Sequence, residues 1–306
     1  MFLQRTIRKK IEVKGIGLHT GQPTRLTLCP APEGTGIYLI RNDLAGCPAI
    51  SVRAEYVQAT DRATTLGGGA FSVLTVEHCL AVLAAFRIDN LFIELDGPEI
   101  PIGDGSAKIF LDALLEAGVV EQRQPKKYAY ISRPIYYGVE EKYAYVAPYN
   151  GLRVSCTVEF PHPKIGRQTM DLDINEHSFA REIARARTFG FMRDVESMRA
   201  RGLVRGGNLS NAVVLDNSEI LNPEGLRYPD EFVRHKILDA LGDLATLGIP
   251  LMGHLVLYKA GHGVMSRLVR AILDSPDCYR HIELGADLPK DVFVGRHLWT
   301  ASLFSY

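Results

Sequence analysis

The chain has 306 residues, enough to bury one large core or two medium ones, and at this length two domains are expected. Its 35 lysines and arginines are balanced by 35 aspartates and glutamates, so no net field is available to hold a nucleic-acid backbone, and no basic and aromatic array compensates locally. The five cysteines, Cys29, Cys47, Cys79, Cys156 and Cys278, are scattered, odd in number and never spaced as CxxC, which argues against a disulfide framework or a cysteine-built zinc knuckle and fits a reducing cytoplasm.

The opening MFLQRTIRKKIEVKG carries charge where a signal peptide would have its apolar run, and no stretch approaches the roughly 18 uncharged residues needed to span a bilayer. A soluble chain is expected, with peripheral contact to a membrane surface left open. Residues 4–57 read mostly as strands (RTIRKKIEVKG, TRLTLCPAP, GIYLIRND), each closed by Gly, Pro or Asn-Asp punctuation. An apolar helix follows over 72–86 (SVLTVEHCLAVLAAF), then the strand NLFIELDG and a second helix around SAKIFLDALLEAG.

The polar, proline-bearing segment 121–130 marks the domain boundary, after which strand-like patterns restart with YAYISRPIYYG, KYAYVAPYNG and LRVSCTVEF. Helical segments come next near INEHSFAREIARA and MRDVESMRARG, then the helix FVRHKILDALGDLATLG, the strand HLVLYKAG and a last helix VMSRLVRAILDS. The expected organisation is a first α+β domain over 1–124, a second over 125–275, and a C-terminal tail over 276–306. Trp299, Leu303, Phe304 and Tyr306 of that tail could equally pack on the protein, touch membrane or expose the terminus to a protease.

Both halves contain a helix that begins near a histidine, a short turn (FRID, LGIP), an apolar strand and another helix. That echo suggests two copies of one sheet-and-helix unit. The two helix layers would pack on each other, sandwiched between two β-sheets, because each layer otherwise leaves an apolar face in water.

In FVRHKILDALGDL, His235, Asp239 and Asp243 recur every four residues and so share one helix face. His235 and Asp239 can reach one point in space, which is two ligands of the three that a catalytic zinc usually takes from protein. His78 of TVEHC, near the start of the equivalent helix in the other half, is the candidate third. Its neighbour Glu77 is a carboxylate free to act as a base toward water whose pKa the metal lowers. Against this stands the plain alternative that helical His-Asp pairs simply stabilise helices.

Adjacent helical side chains diverge by about 100 degrees, so Glu77 and His78 can serve one site only at a helix start. His262, between glycines where a strand gives way to a helix, reads either as a helix cap or as a cationic acid kept charged by a carboxylate. Thr188 is an oxyanion donor or a turn threonine, and Lys236 meets either an anionic substrate group or solvent. His19 of GIGLHTG is a weaker metal candidate whose position between strands favours a structural or substrate-facing turn. GDGSAK and RGGNLSN lack the spacing of a P-loop or dinucleotide fingerprint.

Taken together, TVEHCLAVLAAF, IDNLFIELDGPEIPIGDGSA, ARTFGFMRDVESMRARGLVRGGNLSNAVVLD, LNPEGLRYPDEFVRHKILDALGDL and KAGHGVMSRL resemble the UDP-3-O-acyl-N-acetylglucosamine deacetylases, the zinc amidases that commit Gram-negative bacteria to lipid A synthesis. The resemblance covers almost the whole chain. It implies one catalytic Zn2+ held by His78, His235 and Asp239, with Glu77 as the base that activates the zinc-bound water. It further implies His262 as the cationic acid paired with Asp243, Thr188 as the oxyanion donor and Lys236 as a polar substrate contact.

The implied substrate is a UDP-sugar carrying a 3-hydroxyacyl chain, whose 2-acetamido group is hydrolysed to release acetate. Phe189 would line the cleft, and a β-α-β insert near 190–215 would guide the chain along Met192, Val195, Val204, Leu209, Ala212 and Val214, with Met198 and Leu203 in the same segment. Lys142, Phe160 and Lys259 match positions near the uridine diphosphate. The implied fold is the two-copy α+β sandwich, the implied setting the cytoplasm with contact to the inner membrane left open, and a monomer is the default state. A zinc amidase of another substrate, a noncatalytic nucleotide-sugar-binding protein and a structural metal protein are the competing readings; the retained Glu77 and His262 and the three sulfur-free ligands speak against the last two.

Overall fold

In the computed structural model, which describes residues 2–69 and 71–284, the first half of the chain builds a five-stranded sheet in the order Ile11–Ile16, Pro23–Pro30, Leu91–Leu95, Ile37–Arg41, Ala49–Ser51. Its pairings are antiparallel except for Ile37–Arg41 beside Leu91–Leu95. Leu91, Ile93 and Leu95 alternate with less buried residues, so one face of the sheet turns into the core. Two helices belong to this half: α1 (Glu77–Ala85), and α2 (Lys108–Ala117), which packs on the strand Ile11–Ile16.

The second half centres on Leu251–Tyr258, which runs antiparallel to Lys142–Ala147 and parallel to Leu152–Phe160 and Lys127–Ile131. Ile135–Val139, Gly166–Asp173 and Tyr279–Glu283 complete this seven-stranded sheet. Between its strands the chain makes a one-turn helix α3 (Glu176–Ser178), closed by the Asn175 capping box and continued by a wider turn over Phe179–Ile183. There follow α4 (Met192–Ala200), α5 (Glu231–Leu244) and α6 (His262–Leu273). Helix α5 packs on Leu152–Phe160, and α6 on Ile135–Val139 and Lys142–Ala147.

The two helix layers meet at α1 and α5, giving an α+β fold with helices between two sheets. The sequences explain the placement. EHCLAVLAA buries eight of its nine residues, and α5 buries twelve of fourteen, as helices must when they have protein on both sides. The layers approach closely at Gly242, where a side-chain Cβ would lie 2.0 Å from the Glu77 carbonyl oxygen. Among the described residues the main apolar cluster is shared by both halves, running from Leu26 and Leu39 of the first sheet through Leu80 and Leu238 to Leu255 of the second, with two smaller clusters around Tyr128 and Phe232.

Local departures have physical causes. The helix expected over 72–86 starts only at Glu77, because Phe71–Val73 pairs with Thr65–Gly68 and Thr75 takes a left-handed backbone (φ 59°) that breaks the run. The polar segment at the expected boundary is itself a strand, Val119–Pro125, antiparallel to Leu3–Ile7. Residues 279–283, placed in the tail from sequence, pair with Lys127–Ile131; Trp299, Leu303, Phe304 and Tyr306 lie outside the described residues. Phe189–Phe191, α4 and Val213–Leu215 form a β-α-β insert with parallel strands. No helix among the described residues is long and apolar enough to cross a membrane.

Candidate active site

His78 is the second residue of α1, while His235 and Asp239 sit one turn apart on α5. The packing of α1 on α5 brings them together: their ligand atoms lie within 4.8 Å of one another, and all three side chains are buried. Asp239 Oδ1 is 3.2 Å from His235 Nε2 and 3.6 Å from His78 Nε2, and the two imidazoles stand edge to face at 5.0 Å. His235 Nδ1 lies 3.0 Å from the Ala186 carbonyl, so Nδ1 carries a proton and donates it, and Nε2 faces the group. His78 Nδ1 is buried without a hydrogen-bond partner.

Burial disfavours the Asp239 carboxylate, yet His235 and Lys236 hold its pKa well below the usual range; Lys236 Nζ donates to Oδ2 at 2.7 Å. For His78, burial outweighs Asp239 and lowers the pKa, keeping the imidazole neutral. Two imidazoles and a carboxylate are a donor set suited to Zn2+, and three protein ligands leave a position open.

A second cluster flanks the first. Glu77 opens α1 and is 2 % exposed, with its Oε2 accepting from the Thr64 amide at 3.0 Å. Burial pushes its pKa up to about 7, opposed by His262 and reinforced by Asp239 and Asp243. His262 opens α6, where both burial and the helix dipole work against a cation. Asp243 prevails: its Oδ2 lies 2.9 Å from His262 Nδ1 and raises the pKa to about 9. Thr64 Oγ1 donates to the other Asp243 oxygen at 2.5 Å, while His262 Nε2 lies 3.9 Å from Asp239 Oδ2 at the edge of the ligand group.

Thr188 is half-buried, and its hydroxyl has no hydrogen-bond partner among the described residues; its backbone is fixed between Gly105 and Val213. Gly105 permits this closure, since a Cβ there would meet the Asn211 carbonyl at 2.2 Å. The two glycine turns read from sequence thus pack on each other beside Thr188. Next in the chain, the Phe189 ring stands 6.4 Å from that of His235, with Lys236 Nζ 5.6 Å from its centroid. Phe160 lies edge-on to Phe189 at 5.5 Å.

The insert offers an apolar surface of mixed exposure: Met192 and Leu209 are 48 % and 40 % exposed, whereas Val195, Val204, Ala212 and Val214 are half-buried. Met198 is buried and Leu203 half-buried. Lys142 and Lys259 lie just beyond the Tyr143–Tyr258 pair at the sheet end that also carries Phe160. Lys142 is exposed; Lys259 Nζ already faces Glu159 at 3.0 Å and Glu141 at 3.5 Å.

His19 stands apart from the ligand group. Its amide and that of Thr20 donate to Glu99, and its ring Nδ1 accepts from the Val204 amide at 3.4 Å, tying the GIGLHTG turn to the insert. Thr64 carried no sequence signal, because its partners are thirteen, 179 and 198 residues away.

Comparison with known proteins adds a family. A family model described as UDP-3-O-acyl N-acetylglycosamine deacetylase matches residues 4–274. A UDP-3-O-acyl-N-acetylglucosamine deacetylase of Bdellovibrio bacteriovorus is 65 % identical over 292 residues, covering 95 % of this chain and 97 % of that protein. Proteins of the same name from Myxococcus xanthus and a Shewanella species are 51 % identical over 276 residues and 47 % identical over 294 residues. These cover 90 % and 94 % of this chain, and 88 % and 96 % of the respective relatives.

Proposed function

The chain belongs to the UDP-3-O-acyl N-acetylglycosamine deacetylase family, and on that premise we propose that it hydrolyses the 2-acetamido group of UDP-3-O-(3-hydroxyacyl)-N-acetylglucosamine, releasing acetate in lipid A synthesis. The observation that carries the reading is the buried His78, His235 and Asp239 group with, beside it, the cluster in which Thr64 links Glu77 to the His262–Asp243 pair. His78, His235 and Asp239 would hold one Zn2+. When bound, that ion would polarise the amide carbonyl and acidify a water.

The remaining chemistry belongs to side chains of this chain. Glu77, with a pKa raised to about 7 by burial, is a base matched to neutral pH and takes a proton from the attacking water. The Thr188 hydroxyl donates to the carbonyl oxygen as charge develops on it. His262, held as imidazolium by Asp243, stabilises that charge and protonates the departing glucosamine nitrogen. Lys236 holds Asp239 ionised and faces an anionic or polar substrate group.

Phe189 and the insert residues Met192, Val195, Val204, Leu209, Ala212 and Val214 would carry the acyl chain, each buried methylene contributing about 0.8 kcal/mol. Lys142 and Lys259 would face the diphosphate and Phe160 the uracil, with Lys259 exchanging its glutamate partners for phosphate oxygens. The test is acetate release from the acyl UDP-sugar at several chain lengths. Well-folded, Zn2+-loaded protein that releases none would sink the assignment.

The same arrangement fixes a pH dependence. His262 has a pKa raised from the ordinary imidazole range to about 9, so the acid form is present below that pH and is lost as pH rises through it. In Asp243→Asn the amide cannot stabilise the imidazolium, and the alkaline limb of kcat/KM moves to lower pH. A profile whose alkaline limb stays in place would remove His262 from the role of acid.

A further inference from the structure

Arg187 separates two residues of the candidate site and is itself only 2 % exposed. On one side the Ala186 carbonyl accepts from His235 Nδ1 at 3.0 Å, and on the other Thr188 presents its hydroxyl. The Arg187 side chain turns inward to Glu231, which is 1 % exposed and opens α5 one turn before His235. The Glu231 carboxylate accepts from Arg187 N and Nε on Oε1, both at 2.9 Å, and from Arg187 Nη2 and the Arg227 amide on Oε2 at 3.2 and 2.7 Å. The rest of the guanidinium is met by Glu224 Oε1 and the Gly225 carbonyl, each at 2.7 Å.

Desolvation of both ions cancels much of their attraction, so a buried pair of this kind is a weak source of stability. What it does provide is angle. A planar fork bonded to one carboxylate through side chain and main chain together leaves residues 186–188 no rotational freedom against the first turn of α5.

We propose that Arg187 and Glu231 are a positioning pair, fixing through one three-residue segment both the orientation of the His235 imidazole and the place of the Thr188 hydroxyl. The inference rests on the reading of this site as a metal-dependent deacetylase. It couples two functions that would otherwise be set independently: the metal ligand on α5 and the oxyanion donor on the loop move together or not at all.

The experiment uses the full chain with Arg187→Lys, which keeps the charge but not the fork, and with Arg187→Met/Glu231→Leu, which replaces the pair by apolar groups of similar volume. Zn2+ affinity is measured by competition against a chelator, beside kcat, KM and Tm. Both variants should bind Zn2+ about 10- to 100-fold more weakly, the range found when groups orienting metal ligands are removed. Their kcat should fall by a similar factor with KM within about twofold, while the double variant keeps a Tm close to that of the native protein.

Glu224→Gln, which changes only a half-exposed partner, should leave Zn2+ affinity and kcat alone. Either Arg187 variant binding Zn2+ and turning over as the native protein does would overturn the proposal. So would a failure of both to fold, which would make the pair a stability element. A native protein that binds no Zn2+ overturns the reading of the site instead, and is told apart because the inference alone can fail only with native binding and turnover intact.

Discussion

Stripped of metal by a chelator, the protein should lose acetate release by about a thousandfold or more, and one equivalent of Zn2+ should restore it. Lewis-acid polarisation contributes several kcal/mol, and each ~1.4 kcal/mol is a factor of ten in rate. The expectation is specific to this donor set. His78, His235 and Asp239 are all buried, and the two histidines come from different halves of the chain. His235→Ala should therefore show the same loss without rescue by one equivalent of Zn2+. Native turnover by protein shown to be metal-free by elemental analysis would end the metal-dependent reading, whatever the family.

Glu77→Gln should lower kcat by about 10²- to 10⁴-fold, the usual contribution of a positioned general base, with Zn2+ content unchanged. Glutamine keeps the shape but cannot take a proton. Stability separates this loss from unfolding. Burial raises the Glu77 pKa from its usual value to about 7, so the metal-free native state binds more protons than the unfolded chain between those two values. Stability contributed by the protonated form is lost as pH rises through that window, and glutamine removes the dependence. The variant should thus be at least as stable as the native protein at neutral pH and nearly inactive. Retained activity would transfer the base role to another group, and His262 would be the first to consider.

Spacing alone made part of this site readable. His235, Asp239 and Asp243 repeat every four residues, and a helix turns that period into one face. The Glu77–His78 pair was conditional: two neighbours can serve one site only at a helix start, and α1 begins at Glu77. The reason for that start was hidden, because it depends on Thr75 adopting a left-handed backbone and donating its hydroxyl to Glu99 at 2.8 Å.

Long-range contacts left no periodic trace. Thr64 reaches Asp243 across 179 residues, and EQRQP pairs with a strand at the other end of its own half; composition made the latter look like a connector. The echo of helix, strand and helix was visible in both halves, yet the main core they share was not, since no pattern within either half says how much of α1 its partner will cover.

That shared core governs how the molecule comes apart. Helix α1 has no solvent side, so neither half can peel away without laying the whole of it open to water. The two sheets should consequently melt in one cooperative transition despite the repeated architecture, with no stable half-folded species between. Damage deep in either half will be paid out at the seam, which is where the chemistry sits.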